Sequence, residues 1–359
     1  MTEEPPARIG RIAPLLTAVL ILGTAPAQVE AQVEGQAWAG AARVNNMFAQ
    51  WDRPDSPGCA VGAIERGELV FARGYGSANL DYGIPLTSRS VFYLASASKQ
   101  FTAAAILLAE DEGHLSLNDE VQRWIPELPH YGSTITVRHL VHHTSGLRDY
   151  LTLMSLAGRP YGDAFGDDAM LGLITRQRAL NFEPGSEYLY TNTGYVLLAE
   201  IVKRATGRSL RDYAEERLFA PLGMTSSHFH DDASRVVPGR VISYAPSPGG
   251  GFRVSYLSQF DRVGDGGMYS TVEDLARWVD ALHRDRVGSP GFAARLATRG
   301  ALANGEALAY AFGQSHGSFR GVREIGHGGS MMDFRTTIRR FPDEDAAVIV
   351  LCNIGNVNP

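Results

Sequence analysis

Cysteine is nearly absent. Cys59 and Cys352 are the only two in 359 residues, which excludes a disulfide-scaffolded mini-protein and any metal centre built from cysteines alone. Both fall in apolar runs that read as strands, so the expectation is two packed core residues, although an exported location would permit a disulfide. Basic clusters are missing too. With 33 Lys and Arg against 39 Asp and Glu, the net charge of −6 leaves no electrostatic footprint for nucleic acid. No internal repeat or low-complexity linker divides the chain, and 44% hydrophobic with 20% charged residues is the composition of a folded protein, neither fibrous nor disordered. The chain is long enough for a substantial core or for two intimately packed lobes.

A membrane-spanning run is lacking as well. The apolar stretch "IAPLLTAVLILG" is about a dozen residues, short of the roughly 20 that a spanning helix needs. Arg8 and Arg11 precede it and small residues follow at Ala25, Ala27 and Ala31, which together read as a signal peptide over residues 1–31. Glu3 and Glu4 dilute that charge pattern slightly. The expected product is periplasmic or secreted, with no stable membrane insertion once the leader is removed.

Beyond the leader, "AWAGAARVNNMFAQW" has helical periodicity, and "PGCAVGAIERGELVFARGYGSAN" reads as two strands around a turn at Arg66-Gly67. Phe101, Ala104, Ala105, Leu108 and Ala109 recur at helical spacing, so a helix over 98–112 should bury one face and end at Gly113. The middle of the chain is mostly helical. Ser209 with Asp212, and Ser270 with Glu273, fit capping boxes, while "VVPGRVISYAPSPGGGF" reads as loop or short strand. The tail turns extended again in "VREIGHGG", "MMDFRTTIRRF" and "AAVIVLCNIG", with "PDED" turning the last two antiparallel. Strands at both ends around a helical middle imply an α/β (α+β) fold: an antiparallel sheet closed by the two termini and flanked by helices, with a mostly helical second lobe. One unit with two lobes is expected over 32–355, with a sheet lobe at about 35–95 and 265–355 and a helical lobe at about 100–260. Because "NIGNVNP" follows the last strand almost at once, that sheet is left without an evident terminal cover. Either more chain covers it, or the N-terminal helix does.

Three short segments carry chemistry. In "SASK", Ser96 and Lys99 are three residues apart and share a helical face. An amine held beside a hydroxyl in a partly dry pocket can accept its proton. By spacing alone, Ser98 ranks no lower than Ser96, and an N-cap serine with an exposed lysine is the plainer account. In "YTN", Tyr190 and Asn192 point to one side of an extended segment, suited to proton exchange and to binding a carbonyl, or else to packing and helix capping. In "IGHGGS", His327 ends a strand, and Gly328 and Gly329 allow close backbone approach. Each segment alone is weak.

Together, in this order and at these separations, they resemble the SxxK, YxN and KTG or HxG boxes of the serine beta-lactamase and penicillin-binding-protein superfamily. "ITVRHLVHHTSGLRDY", "LFAPLGMTSS" and "GDGGMYSTVEDLARW" resemble connecting segments of its class C beta-lactamase-like branch, which includes D-aminopeptidases, D-alanyl-D-alanine carboxypeptidases and esterases. The resemblance spans about residues 40–355 and implies a beta-lactamase/transpeptidase-like fold. It also implies Ser96 as acylated nucleophile, Lys99 as its base, Tyr190 as proton shuttle and Asn192 as substrate ligand. His327, Gly328 and Gly329 would line the substrate, and the backbone N–H groups of Ser96 and Ser330 would form the oxyanion hole. Ser98 becomes structural. No metal or other cofactor is implied. His327 is the main departure, because the lysine of a KTG box supplies a fixed positive charge and a histidine near neutral pH need not.

The reading that follows is an exported serine hydrolase of small or D-residue-containing peptides or amides. The alternative is a carboxylesterase; beta-lactamase activity, or a non-catalytic ligand-binding protein on this scaffold, ranks lower. The partner expected is a small peptide, amide or ester, with no nucleic acid, and oligomeric state has no signature here. Two clusters look functional and are read otherwise: His228, His230 and Asp232 in "HFHDDA" as a polar turn, and His142, His143 and Arg148 as structural supports.

Overall fold

Arg66 and Gly67 both sit at positive φ, 51° and 82°, a pair that lets two extended runs fold tightly back on each other. The structure, a computed structural model, describes residues 1–2, 38–160, 166–256 and 261–359. Beyond its first two residues, the expected leader lies outside the described residues. Helix α1 (Ala41–Phe48) precedes the hairpin of β1 (Cys59–Glu65) and β2 (Glu68–Tyr75). A short strand β3 (Phe92–Tyr93) then feeds a 3-10 turn, Ala95–Ser98, which runs directly into α2 (Lys99–Asp111). From the helical half come α3 (Val137–Val141), α4 (Tyr150–Leu156) and α5 (Asn192–Thr206). Short strands β4 (His228–Phe229) and β5 (Met268–Ser270) lead to α6 (Val272–His283). Strands β6 (Ser315–Phe319), β7 (Val322–Met331), β8 (Phe334–Phe341) and β9 (Ala346–Cys352) follow.

Six of these strands form one antiparallel sheet in the order β6-β7-β8-β9-β1-β2. Strands from the two ends of the chain therefore pair with each other, as the alternation of the sequence implies. The register of β1 on β9 sets Cys59 directly opposite Cys352, Cα atoms 4.0 Å apart, and the two are joined by a disulfide. This corrects the expectation of two unpaired core residues. Both cysteines are buried, but it is the cross-strand register, invisible in a spacing of 293 residues, that makes them partners.

Gln32–Pro359 is one contact unit, and sheet and helices share a continuous core. Helix α6 packs across β1, β2 and β9, burying Val272, Leu275, Trp278 and Val279. Its cap is Thr271, whose side chain accepts from the Asp274 N–H. The expected cap, Ser270, instead ends β5 and shares a hydrogen bond with Ser227. The cap at Ser209 forms with Asp212 as expected. Helix α2 is buried on every side from Lys99 to Ala109, not on one face only. Its alanines let neighbours approach all round it, which is the pattern of a central helix. On the opposite face of the sheet, Trp38, Val44 and Phe48 of the N-terminal helical region pack on Phe71, Tyr75 and Val61. That region covers the part of the sheet formed by β1, β2 and β9.

Because the disulfide ties strands from opposite ends of the chain, reduction should release a very long loop. Cys59→Ser is expected to lower unfolding free energy by about 2–5 kcal/mol, read as a lower thermal midpoint than the oxidised parent. An unchanged midpoint, with free thiols titrating in the untreated parent, would contradict the pairing.

Candidate active site

Lys99 is completely buried, so each of its polar hydrogens needs a partner. Its Nζ donates to Ser96 Oγ at 3.2 Å, to Asn192 Oδ1 at 2.9 Å and to the Asp265 backbone carbonyl at 2.6 Å. The aromatic faces of Tyr190 and Tyr195 flank the amine, with ring centroids 5.0 and 5.6 Å away. Ser96 and Lys99 share a face, as expected, but by way of a 3-10 turn joined to a helix. In that tighter turn, residues three apart eclipse one another. Ala95, just before Ser96, sits at φ 48°, a left-handed conformation that a non-glycine residue holds only when its surroundings impose it.

Ser98 has a different place. It is fully buried, donates to the Ala95 carbonyl at 2.6 Å and accepts from the Met268 N–H at 3.3 Å. It therefore ties the turn to β5, and the two serines that spacing could not rank have separate surroundings.

Asn192 is the first residue of α5, one after its cap Thr191, so it is not itself the helix cap that the sequence allowed. Tyr190, just ahead of it, packs its ring 4.3 Å from that of His143. The Tyr190 hydroxyl is buried and has no hydrogen-bond partner among the described residues, a state that costs about 1–3 kcal/mol unless something else uses the group.

His327 lies on β7 and is 9% exposed. Its Nδ1 is 2.5 Å from the Gly328 carbonyl, which can only accept, so Nδ1 carries the proton. Nε2 is then the acceptor for the Tyr310 hydroxyl at 3.1 Å. Both ring nitrogens are thus spent within the protein. Burial, helped by the Lys99 charge, pushes the His327 pKa down to about 3.

Strand β6 pairs with β7 only from Val322 to Gly326, so among the described residues His327–Met331 have no paired strand on that side. A Cβ on Gly329 would lie 2.1 Å from the Leu94 carbonyl oxygen and 3.1 Å from the Ala95 Cβ. Only glycine allows β7 this close to the turn that carries Ser96. On Gly328, the nearest atom to a Cβ would be the Thr336 carbonyl oxygen, at 3.2 Å. Thr336 of β8 adds a hydrogen bond to the Leu94 carbonyl at 2.8 Å. Ser330 is exposed at the far end of the box.

Asp265, Tyr310 and His143 make these contacts, Asp149 accepts from the Asn192 backbone N–H and side-chain amide, and none of the four was singled out as a site residue by spacing. A compositional signal for Lys99 was available: apart from Lys203, every other cationic side chain of the Lys/Arg type is arginine. Arginine cannot shed its proton in a protein, whereas a buried lysine can. Of the two other clusters, His143 joins the site, while the His228 and His230 pair packs on a different ring. His228 stacks on Tyr269 with planes 9° apart, and His230 packs edge-on to the same ring. Arg148 donates to Gln177. A cavity of about 550 Å³ lined by Asn79, Arg89, Arg240 and Tyr269 includes neither Ser96 nor Lys99; the site is identified by its hydrogen bonds, not by cavity size.

A family model described as beta-lactamase matches residues 44–359. A penicillin-binding protein of Bacillus subtilis is 33% identical over 305 residues, covering 81% of this chain and 67% of that protein. A D-aminopeptidase of Cereibacter sphaeroides is 32% identical over 301 residues, 83% of this chain but only 57% of the relative, so the chain spans little more than half of that enzyme's length. Among solved structures, the octameric penicillin-binding protein homologue from Pyrococcus abyssi superposes with a TM-score of 0.75 at 27% identity, covering 89% of this chain and 73% of that one.

Two outcomes are expected from the box on β7. Gly329→Ala should force β7 off the Ser96 turn and lower labelling of Ser96 by a serine-directed phosphonate about 100-fold, while Gly328→Ala should lose far less. Equal labelling of the two variants would sink the close-approach argument. His327 stays neutral in the folded chain down to about pH 3, whereas an unfolded histidine protonates near 6.5. The unfolded state therefore binds more protons in between, so this contribution to stability is complete above that range and is lost as pH falls through it. Midpoints measured from pH 7 to pH 4 should fall less steeply in His327→Gln; parallel profiles would contradict the assignment.

Proposed function

The chain belongs to the beta-lactamase family, within the superfamily of serine beta-lactamases and penicillin-binding proteins, and from that premise we propose that it hydrolyses small peptide or amide bonds, including those of D-residues, through an acyl-enzyme on Ser96. The observation that carries the proposal is the Lys99 amine, 3.2 Å from Ser96 Oγ, with Asn192 Oδ1 and the Asp265 carbonyl oxygen placed to accept two N–H bonds, which leaves the lone pair of the neutral amine for the serine proton. Lys99 takes the serine proton as Ser96 attacks the carbonyl. Backbone N–H groups of Ser96 and Ser330 receive the developing oxyanion. The Tyr190 hydroxyl, buried and without a partner among the described residues, delivers a proton to the leaving group. Asn192 binds the acyl-side carbonyl, and water then releases the acyl group.

His327 supports the choice among substrates. With a pKa near 3 and both nitrogens engaged, this box offers no fixed cation to a substrate carboxylate at neutral pH. That disfavours substrates recognised by a terminal carboxylate, including beta-lactams, and favours amides and peptides without one at that position. The D-aminopeptidase relative is consistent with this preference. We also place the mature protein outside the cytoplasm. The Cys59–Cys352 disulfide supports that placement, because such bonds persist in oxidising compartments.

The test is a panel of D-alanyl amides, D-Ala-D-Ala peptides, short p-nitrophenyl esters and a cephalosporin, combined with mass spectrometry of the acylated serine. D-alanyl amides should turn over best, and the acyl mass should vanish in Ser96→Ala. Turnover of the esters alone would replace the peptidase reading with the esterase one. An acyl group that moves to Ser98, or none at all in the parent, would overturn the nucleophile or the enzyme reading respectively.

A further inference from the structure

An asparagine amide has two ends of similar shape and opposite hydrogen-bonding character. Which end of Asn192 faces Lys99 matters, because only the carbonyl end can accept from the amine. Asp149 settles the choice. Its Oδ2 accepts from Asn192 Nδ2 at 3.0 Å and from the Asn192 backbone N–H at 2.6 Å. Its Oδ1 accepts the Thr152 N–H at 3.1 Å, as the cap of α4. One carboxylate thus serves the first turns of two helices, where a negative group is favoured, and both of its oxygens are committed. A carboxylate accepts and has no proton to give, so the NH2 end of Asn192 must face it and Oδ1 must face Lys99.

We propose that Asp149 is a positioning residue for acylation, acting through the Asn192 amide to aim the Lys99 lone pair at Ser96. The neutral amine has two N–H bonds and one lone pair. Asn192 Oδ1 and the Asp265 carbonyl oxygen take the two N–H bonds, at 2.9 and 2.6 Å. The lone pair is left along the third direction, where Ser96 Oγ lies at 3.2 Å. In the acylation step the Ser96 O–H bond breaks and its proton joins that lone pair, giving an ammonium. The oxygen's electron pair forms the bond to the acyl carbon, whose carbonyl pair moves onto its own oxygen. Were the amide turned over, Nδ2–H would point at the amine. It would compete with the serine proton for the lone pair and leave one amine N–H without an acceptor.

This inference rests on Ser96 and Lys99 as the acylating pair. Asp149→Ser retains a cap for α4 but is too short to hold the amide. Asp149→Asn keeps the shape, yet has one acceptor oxygen where two are used, so its NH2 end faces a donor on one side or the other. Acylation by an activated ester is followed under single-turnover conditions across pH, with reactive sites titrated so that loss of folded protein is scored separately. Per titrated site, both variants should lower the plateau acylation rate about 10- to 100-fold with little change in substrate KM. The acid limb should also move to lower pH, because the ammonium loses an acceptor and a neighbouring negative charge. If Asp149→Ser does not fold, the isosteric Asp149→Asn carries the test. Parent-like rates per titrated site, whether or not fewer sites titrate, would overturn the proposal and leave Asp149 a helix cap only. A lower plateau with an unmoved acid limb would overturn it too. A parent chain that is not acylated would instead defeat the underlying assignment of Ser96.

Discussion

A lysine amine with no solvent exposure needs an acceptor for every hydrogen it carries, and in this protein those acceptors come from three separated stretches of chain. Asn192 supplies one from the start of α5, Asp265 another from the segment before β5, and Ser96, from a 3-10 turn, the third when the amine is protonated. An uncompensated buried charge or donor costs several kcal/mol. The three stretches are therefore held to a common point, and the remaining features of the site follow from that point. Asp149 is required to orient the Asn192 amide, Ser98 to tie the turn to β5, and Gly329 to let β7 close over Leu94 and Ala95.

Around that amine the site is electrically spare and rich in rings. His143, Tyr188, Tyr190, Tyr310 and His327 contact one another edge-on or tilted. Burial lowers the pKa values of His143 and His327 and raises those of Tyr188 and Tyr310, so each of these rings is kept neutral near pH 7. The histidine of the β7 box thereby acts as a neutral hydrogen-bonded support, not as a substitute for the lysine of a KTG box. A low-dielectric wall of this kind strengthens the attraction between a charge in the site and the donors aimed at it.

Much of this arrangement was legible in the sequence because it is local. The Arg66-Gly67 turn, the cap at Ser209 and the extended runs at the tail follow from φ preferences, side-chain reach and period. Ser96 and Lys99 share a face in any helical turn. What was not legible depends on registers and contacts between distant segments. Cys59 and Cys352 became partners only through the pairing of β1 with β9. Thr271 displaced Ser270 as the cap of α6 because β5 had already claimed Ser270 for its pairing with β3. Asp149 has no local signature, and its second oxygen meets Asn192 only when α4 and α5 pack.

The sequence by itself determined the order of the boxes, the family they belong to and the two-ended closure of the sheet, since these rest on residue types and on the period of apolar positions. Tertiary structure alone decided which end of an amide faces a lysine, which nitrogen of His327 carries the proton, and which serine lies open to Lys99. Those choices turn on hydrogen-bond direction at separations near 3 Å, set by groups many residues away, and no local pattern of side chains encodes them.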